Sequence, residues 1–316
     1  MPRTQTNQRN TQDHERDWYD DPLTYDIVHQ PGTAAEVRGL ERIERRFSLA
    51  PREKGTKPLW FEPACGTARY LRAASKRGKR VLGIDLNRRM IAFARRAFEE
   101  EGLKGDLRAA DMTKSLTRVK PATVDFAFCL INSIRHLPND RSMLAHLRTV
   151  RDLLKPGAVY CVGIGLTHYG AEFPTEAVFT ATRAGVRVTQ LAQFLVPADR
   201  LEPVINHLTI ESGRGRNRRT HHFTNTYQLR CYPGTQWTAL VERAGFEIVG
   251  VVDEQGDDAA AFADGAYRRP DLSCYGLFVL RAPLQAPRRA VPSKQLPHRS
   301  EIPRNRKRPR ASQRPA

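Results

Sequence analysis

The stretch Leu59-Trp-Phe-Glu-Pro-Ala-Cys-Gly-Thr-Ala-Arg-Tyr-Leu71, with its continuation Val81-Leu-Gly-Ile-Asp-Leu-Asn-Arg-Arg-Met-Ile91, decides the fold. Leu59 to Phe61 is a short apolar run closed by Glu62. Cys65-Gly66-Thr67-Ala68 is a run of small residues, at which backbone approaches a ligand closely. Tyr70 opens a helical pattern, and Val81 to Ile84 is a second apolar run that ends in Asp85. The pattern predicts strand, tight turn, helix, strand, acidic strand end and helix. A carboxylate closing the second strand of such a unit is placed to accept from a pair of ribose hydroxyls, about 20 residues after the turn glycine. Asp85 follows Gly66 by 19. The unit is therefore expected to hold a nucleoside-containing cofactor; the plainer alternative is an ordinary βαβ unit with a chance glycine.

The turn discriminates among such cofactors. A pyrophosphate lies against bare backbone at a helix N-terminus and calls for several glycines. Only Gly66 is present, with Ala64 and Ala68 near it, and the acid Glu62 stands four residues before it. That carboxylate does nothing for an anion and favours a cation. The stretch resembles the first two motifs of class I S-adenosylmethionine-dependent methyltransferases, whose cofactor carries a sulfonium and an ammonium. Alanine at two of the usual small positions is a departure, because alanine disfavours the positive φ that glycine accepts.

Outward from this unit, the alternation continues. Arg88 to Glu101 is amphipathic, and Leu107 to Met112 reads as a third strand that ends at Asp111. Val124 to Ile131 is a nearly unbroken apolar run, which suits a strand buried on both faces. Met143 to Leu154 reads as a helix stopped by Lys155-Pro156-Gly157, and Ala158 to Leu166 as a fifth strand. This predicts a doubly wound, Rossmann-like α/β sheet with its ligand outside the carboxyl ends of the strands. Glu62, Asp85, Asp111 and Asn132 fall at four such ends. Between Thr167 and Tyr232 the period becomes two. Ala177–Thr182 with Val186–Val196, and Val204–Glu211 with Thr220–Tyr232, read as two hairpins, the second with a basic tip from Ser212 to Arg219. The tip is either a grip for phosphate or carboxylate, or a solvated turn. Thr235–Ala244 reads as a helix, Gly256–Leu272 as a polar loop, and Phe246–Val252 and Tyr275–Arg281 as strands. The resemblance implies seven strands, mostly parallel with the last antiparallel, and an inserted antiparallel β lid over residues 167–232.

Before the sheet, Met1 to Arg16 is polar and expected to be disordered, so the domain is expected over 18–282, with 1–17 as a disordered N-terminus. Trp18, Tyr19, Leu23 and Tyr25 punctuate an acidic stretch, and Thr33–Phe47 reads as a helix with Thr33 as its N-cap. In the resembled family such a segment covers the cofactor; the plainer reading is that its aromatics anchor the helix. The tail, 283–316, holds seven prolines and ten Lys/Arg against one Glu, half of the net charge of +18. It is expected to be a disordered, solvated extension, with weak contact to nucleic acid as the other reading. Five cysteines scattered singly support neither a zinc site nor disulfides, and no metal is expected. No secretory signal or apolar run of membrane length is visible, and a cytoplasmic location is expected.

The resemblance implies roles residue by residue. Glu62 biases the cofactor's amino end, and Ala64, Cys65, Gly66 and Thr67 form the turn. Asp85 takes the ribose, with Leu86, Asn87 and Met90 beside it. Asp111 and Met112 frame the adenine, and Cys129, Leu130 and Asn132 line the cleft. His136, just past the fourth strand, is the candidate base, or else a surface histidine capping the next helix. Tyr19, Tyr25, His168 and Tyr169 are candidates for the acceptor pocket. Asn132-Ser133-Ile134-Arg135 lacks the Asn-Pro-Pro-aromatic pattern of amino-methylating nucleic-acid enzymes. The expected function is O- or N-methylation of a small molecule with S-adenosylmethionine. The alternatives are an RNA or protein methyltransferase that uses the basic tail, and a non-catalytic cofactor-binding protein.

Overall fold

Runs of apolar residues that alternate with amphipathic helices can be buried only by laying the strands side by side and covering both faces. The computed structural model, which describes residues 14–15, 17–213, 215–268 and 274–285, shows that solution. In chain order the strands are β1 (His14–Glu15), β2 (Leu59–Pro63), β3 (Arg80–Asp85), β4 (Asp106–Ala109), β5 (Val124–Cys129), β6 (Leu154–Gly165), β7 (Thr175–Arg183), β8 (Val186–Phe194), β9 (Leu201–Ser212), β10 (Arg219–Arg230), β11 (Glu247–Val252) and β12 (Tyr275–Arg281). The α-helices are α1 (Pro22–His29), α2 (Thr33–Phe47), α3 (Arg69–Lys76), α4 (Arg88–Glu100), α5 (Asp140–Leu153) and α6 (Gly234–Ala244).

The main sheet has the order β11-β12-β6-β5-β2-β3-β4. β4, β3, β2, β5 and β6 are parallel neighbours, and β12 runs antiparallel between β6 and β11. The order of the strands reverses between β2 and β5, so a crevice opens above their carboxyl ends. One apolar layer packs α5 and α6 beneath the sheet through Leu147, Trp237 and Phe278. The other packs α2, α3 and α4 through Leu40, Leu71, Ile91 and Trp60.

A second sheet, β1-β10-β9-β8-β7, is the expected insertion. β7 to β10 form an antiparallel meander, and β1 joins its edge parallel to β10. Opposed residues share a face, so Gln190, Ala192, Asn206, Asn225 and Tyr227 look inward together. Trp18, Ile27 and Val28, the last two from α1, pack against this face at Val188, Leu208 and Phe223.

Several local expectations are corrected. The N-cap of α2 is Gly32, at φ 82°, and Thr33 is the first helical residue. Its hydroxyl instead donates to the Gln30 carbonyl at 2.7 Å. Asp111 lies two residues beyond β4. α5 ends at Leu153, just before Lys155-Pro156-Gly157, and these three residues already belong to β6, where its pairing with β5 shifts register. Residues Ala260–Arg268 form kinked 3-10 turns that bury Phe262, where a polar loop is expected. α1, which follows Asp21 with Pro22 at its first position, was not anticipated. His14–Glu15 form a short strand; the expectations for 1–13, 16 and the tail from 286 lie outside the described residues.

Candidate active site

At the carboxyl end of β2 the chain must turn sharply into α3. It does so through three residues at positive φ: Ala64 (56°), Gly66 (52°) and Ala68 (57°). Left-handed alanine costs about 1 kcal/mol, so the two alanines are held there by their surroundings. Asp85, at the end of β3, ties the turn down. One carboxylate oxygen accepts from the Gly66 N–H at 2.8 Å and the other from the Asn87 N–H at 2.8 Å. Burial raises its pKa, and these two bonds oppose the rise. Asn87 caps α4 by accepting from Arg89 and Met90, and its amide donates to the Tyr19 carbonyl at 3.0 Å.

Beneath the turn, Glu62 is buried, and its Oε2 has no hydrogen-bond partner. Burial pushes its carboxyl well above the usual range, with Arg69 opposing. Arg69, at the start of α3, is buried too; it bonds the Thr33 hydroxyl at 2.6 Å and Glu36 at 3.0 Å, and lies over the Tyr70 ring. At the far end of β5, Ile131 (φ 54°) and Asn132 (φ 59°) are both left-handed. A β-branched residue in that region is an outlier. Tyr275 and Gly165 hold the pair: the Tyr275 hydroxyl accepts from the Ile131 N–H at 3.2 Å, and Asn132 Oδ1 accepts from the Gly165 N–H at 2.7 Å.

These strand ends open into a cavity of about 980 Å³ walled on its other side by the lid sheet and by α1. Asp17, Glu36, Asp85, Asp111 and Glu254 line it against one guanidinium, that of Arg69. In a chain of net charge +18 this is a local inversion of sign, and it favours a cationic ligand. Between the two walls stands an aromatic group. The Tyr19 hydroxyl is 3.1 Å from Nε2 of His136, and the Tyr227 ring lies 5.1 Å from that imidazole. Tyr25 sits over the turn, with a ring carbon 3.6 Å from where a Gly66 side chain would start. Burial, with the Arg135 guanidinium beside it, brings the His136 pKa down to about 4. Burial likewise raises the Tyr19 phenol.

Residues 61–157 match the family model for the methyltransferase domain. This segment is a methyltransferase domain. No curated protein matches the sequence. Among solved structures, Streptomyces venezuelae DesVI is similar at 19% identity and TM-score 0.63, covering 85% of this chain and all of that one. The sugar N-methyltransferase KedS8 of Streptoalloteichus sp ATCC 53650 is similar at 21% identity and TM-score 0.61, with 86% and 96% covered. The amino pentose methyltransferase CalS10 of Micromonospora echinaspora, solved with bound S-adenosylmethionine, is similar at 18% and TM-score 0.57, with 86% and 99% covered. At these identities the likeness establishes the fold.

The residues of the methyltransferase domain fit its cofactor. The carboxylate excess and the left-handed turn suit a cationic amino acid end, and Arg69 supplies the counter-charge for a carboxylate. Of the residues expected from sequence, Ala64, Gly66, Asp85, Leu86, Asn87 and Met90 line the cavity. So do Asp111, Met112, Leu130, Asn132, His136, Tyr19 and Tyr25. Glu62, Cys65, Thr67 and Cys129 are buried behind it and do not reach its wall. His168 and Tyr169 are not brought to the cavity. The Thr167 N–H bonds the Tyr232 carbonyl at 3.1 Å, which turns the chain away, and Tyr169 donates to the Cys231 carbonyl at 3.4 Å. In the basic tip Arg218 pairs with Glu211, while Arg214 and the Arg216 side chain lie outside the described residues. Missed were Arg69, Ile131, Tyr227 and Gln190. Arg69 follows the turn glycine by three residues, a signal present in the motif itself.

Among the described residues there is no cluster able to hold a metal ion, and no helix long and apolar enough to cross a membrane.

Proposed function

We propose that this chain transfers a methyl group from S-adenosylmethionine to a small-molecule acceptor through an amine or hydroxyl of that acceptor. The observation that carries the reading is the shared cavity: Asp85 and Asp111 line one wall and the lid residues Gln190 and Tyr227 line the other. A donor held by the sheet thus faces an acceptor held by the lid, inside a volume suited to small ligands. The similarity to KedS8 and CalS10, a sugar and an amino pentose methyltransferase, points the same way.

When bound, the cofactor supplies a methyl group on a sulfonium, ready for in-line displacement. The residues then have three tasks. Asp85 and Arg69 fix the donor at its two ends. The lid and α1 exclude water and hold the acceptor in line, which supplies most of the rate in a reaction with a good leaving group. Tyr19, His136 and Tyr227 bond the acceptor's heteroatom. At pKa about 4 the imidazole is neutral at pH 7 and presents an acceptor or a donor nitrogen without charge. Incubating the full chain with methyl-labelled cofactor and a metabolite extract, with and without RNase, tests the reading. A labelled small molecule that survives RNase is expected; label only in RNA or protein would overturn it.

A further inference from the structure

The lid's inner face carries three carboxamides that the chemistry above leaves without work. Gln190 (5% exposed), Asn206 (0%) and Asn225 (7%) occupy β8, β9 and β10. Asn206 and Asn225 are direct cross-strand partners, and Gln190 reaches diagonally to give Asn206 Oδ1 a bond from its Nε2 at 2.8 Å. That bond fixes both ends. The Gln190 oxygen is left as an acceptor and the Asn206 nitrogen as a donor. Neither has a partner among the described residues, nor has the Asn225 oxygen. Leaving such a group buried and unpaired costs about 1–3 kcal/mol; of the three residues Gln190 lines the cavity, so its free oxygen is the one placed to meet a visitor.

The visitor's chemistry follows from the surroundings. Gln190 lines the same cavity as His136 and Tyr227. The inward residues of these strands, from Val188 through Phe194, Val204 through Leu208 and Phe223 through Leu229, include no charged side chain. A phosphate or carboxylate would find no counter-charge here. A hydroxyl donates without bringing a charge, which matches the free Gln190 oxygen.

We infer that Gln190, oriented by its bond to Asn206, is an acceptor-specificity site, and that it takes a neutral, hydroxyl-bearing ring. This rests on the proposed small-molecule methyl transfer and adds the face of the acceptor that is read.

Saturation-transfer NMR on the full chain with S-adenosylhomocysteine bound tests it. The probes are methyl β-D-glucopyranoside, its 2-, 3- and 4-deoxy analogues, its uronate counterpart and methoxycyclohexane as a hydroxyl-free ring. The parent glycoside is expected to bind more tightly than the uronate and the hydroxyl-free ring, with at least one deoxy analogue weaker by about fivefold. Gln190→Met is expected to erase that difference while S-adenosylhomocysteine affinity stays as in the wild type, with the melting temperature lowered by the Asn206 oxygen left unpaired. Should Gln190→Met not fold, Gln190→Glu, which keeps the size but adds a charge, is expected to weaken the parent glycoside. Wild-type protein that prefers the uronate, or shows no preference for the hydroxylated ring, overturns the inference and leaves the carboxamides to ordered water. A folded Gln190 variant that keeps the full preference overturns it too. Failure of the wild type to bind S-adenosylhomocysteine would instead sink the methyl-transfer reading.

Discussion

The Tyr19 hydroxyl stands 3.1 Å from Nε2 of His136, although 117 residues separate them. One comes from the segment before α1 and the other from the turn after β5, so the bond closes only when the N-terminal segment lies over the sheet. His136→Gln and Tyr19→Phe are each expected to lower turnover by about 10²-fold, within the range for a positioned proton-transfer or hydrogen-bonding group. Cofactor affinity should change less than twofold. The check is product formation beside calorimetry of S-adenosylhomocysteine. Because the imidazole is neutral at pH 7, its NMR titration should fall near pH 4, and a value near 6.5 would remove the pocket's desolvation from the account.

Asp85 has a double duty, holding the Gly66 and Asn87 N–H groups while facing the cavity. Asp85→Ala is expected to weaken S-adenosylmethionine at least tenfold by calorimetry. Asp85→Asn, which retains an acceptor for one of the two N–H groups, should lose less. Equal affinity in wild type and Asp85→Ala would show that the ribose lies elsewhere.

Ala64 pays for its turn geometry in strain, at φ 56° and with its methyl toward the cavity. Ala64→Gly should relieve about 1 kcal/mol of left-handed strain, less some entropy of the unfolded chain. A melting temperature raised by about 1–3 °C is expected. A lower one would mean that the methyl's packing outweighs the strain.

The sheet was legible because its signals are local and repeated: apolar runs ending in Glu62, Asp85 and near Asp111, with a small-residue turn between the first two. The lid was legible as hairpins because its period of two survives through Gln190, Ala192 and Phe194. Its inward face was not, since assigning Asn206, Asn225 and Tyr227 to a cavity needs the register between strands. His168 and Tyr169 were misplaced for a similar reason. They stand three and four residues past β6, near a strand end, but the Thr167–Tyr232 bond comes between and the chain leaves the cavity there. Arg69 was visible in the motif and unassigned, because a guanidinium at a helix start reads as solvated until Glu36 and Thr33 are seen around it.

His146, on α5, sets a pH dependence of stability. It is fully buried; its Nδ1 lies 3.1 Å from the Met112 carbonyl and its Nε2 2.7 Å from the Tyr160 hydroxyl. A carbonyl only accepts, so Nδ1 carries the proton and Nε2 accepts from Tyr160. Burial drives the pKa down to about 4. Between about pH 6.5 and 4 the unfolded chain therefore binds a proton that the folded chain does not, and stability falls as pH falls through that window. The loss is on the order of 3 kcal/mol. Denaturant unfolding at pH 7 and 4.5 should show it, and His146→Gln should shrink the difference by that share, leaving the part set by His29 and His136, whose pKa values burial also lowers. Because the ring also holds Met112, the same variant is expected to loosen cofactor binding at pH 7.

Asp26 joins three parts of the molecule. It lies on α1, fully buried, between Arg72 of α3 and Arg183 of β7, the latter at 2.6 Å. Arg72 keeps a second partner in Glu101 at 2.8 Å, and the Arg183 side chain is 36% exposed. Removing one member of a buried pair leaves the other charge uncompensated and costs about 3–5 kcal/mol. Here Glu101 and solvent absorb part of that, so about 2–3 kcal/mol is expected for Asp26→Asn. The loss should not be uniform. The carboxylate links α1 and the lid's outer strand to a helix of the main sheet, so opening should concentrate where that link is cut. Hydrogen exchange is expected to quicken in α1 and β7 while β2, β3 and β5 keep their protection. Turnover should fall further than cofactor affinity, because Tyr19 reaches His136 from the same segment. Uniform loss of protection across both sheets would mean that Asp26 merely adds stability and does not fasten the lid.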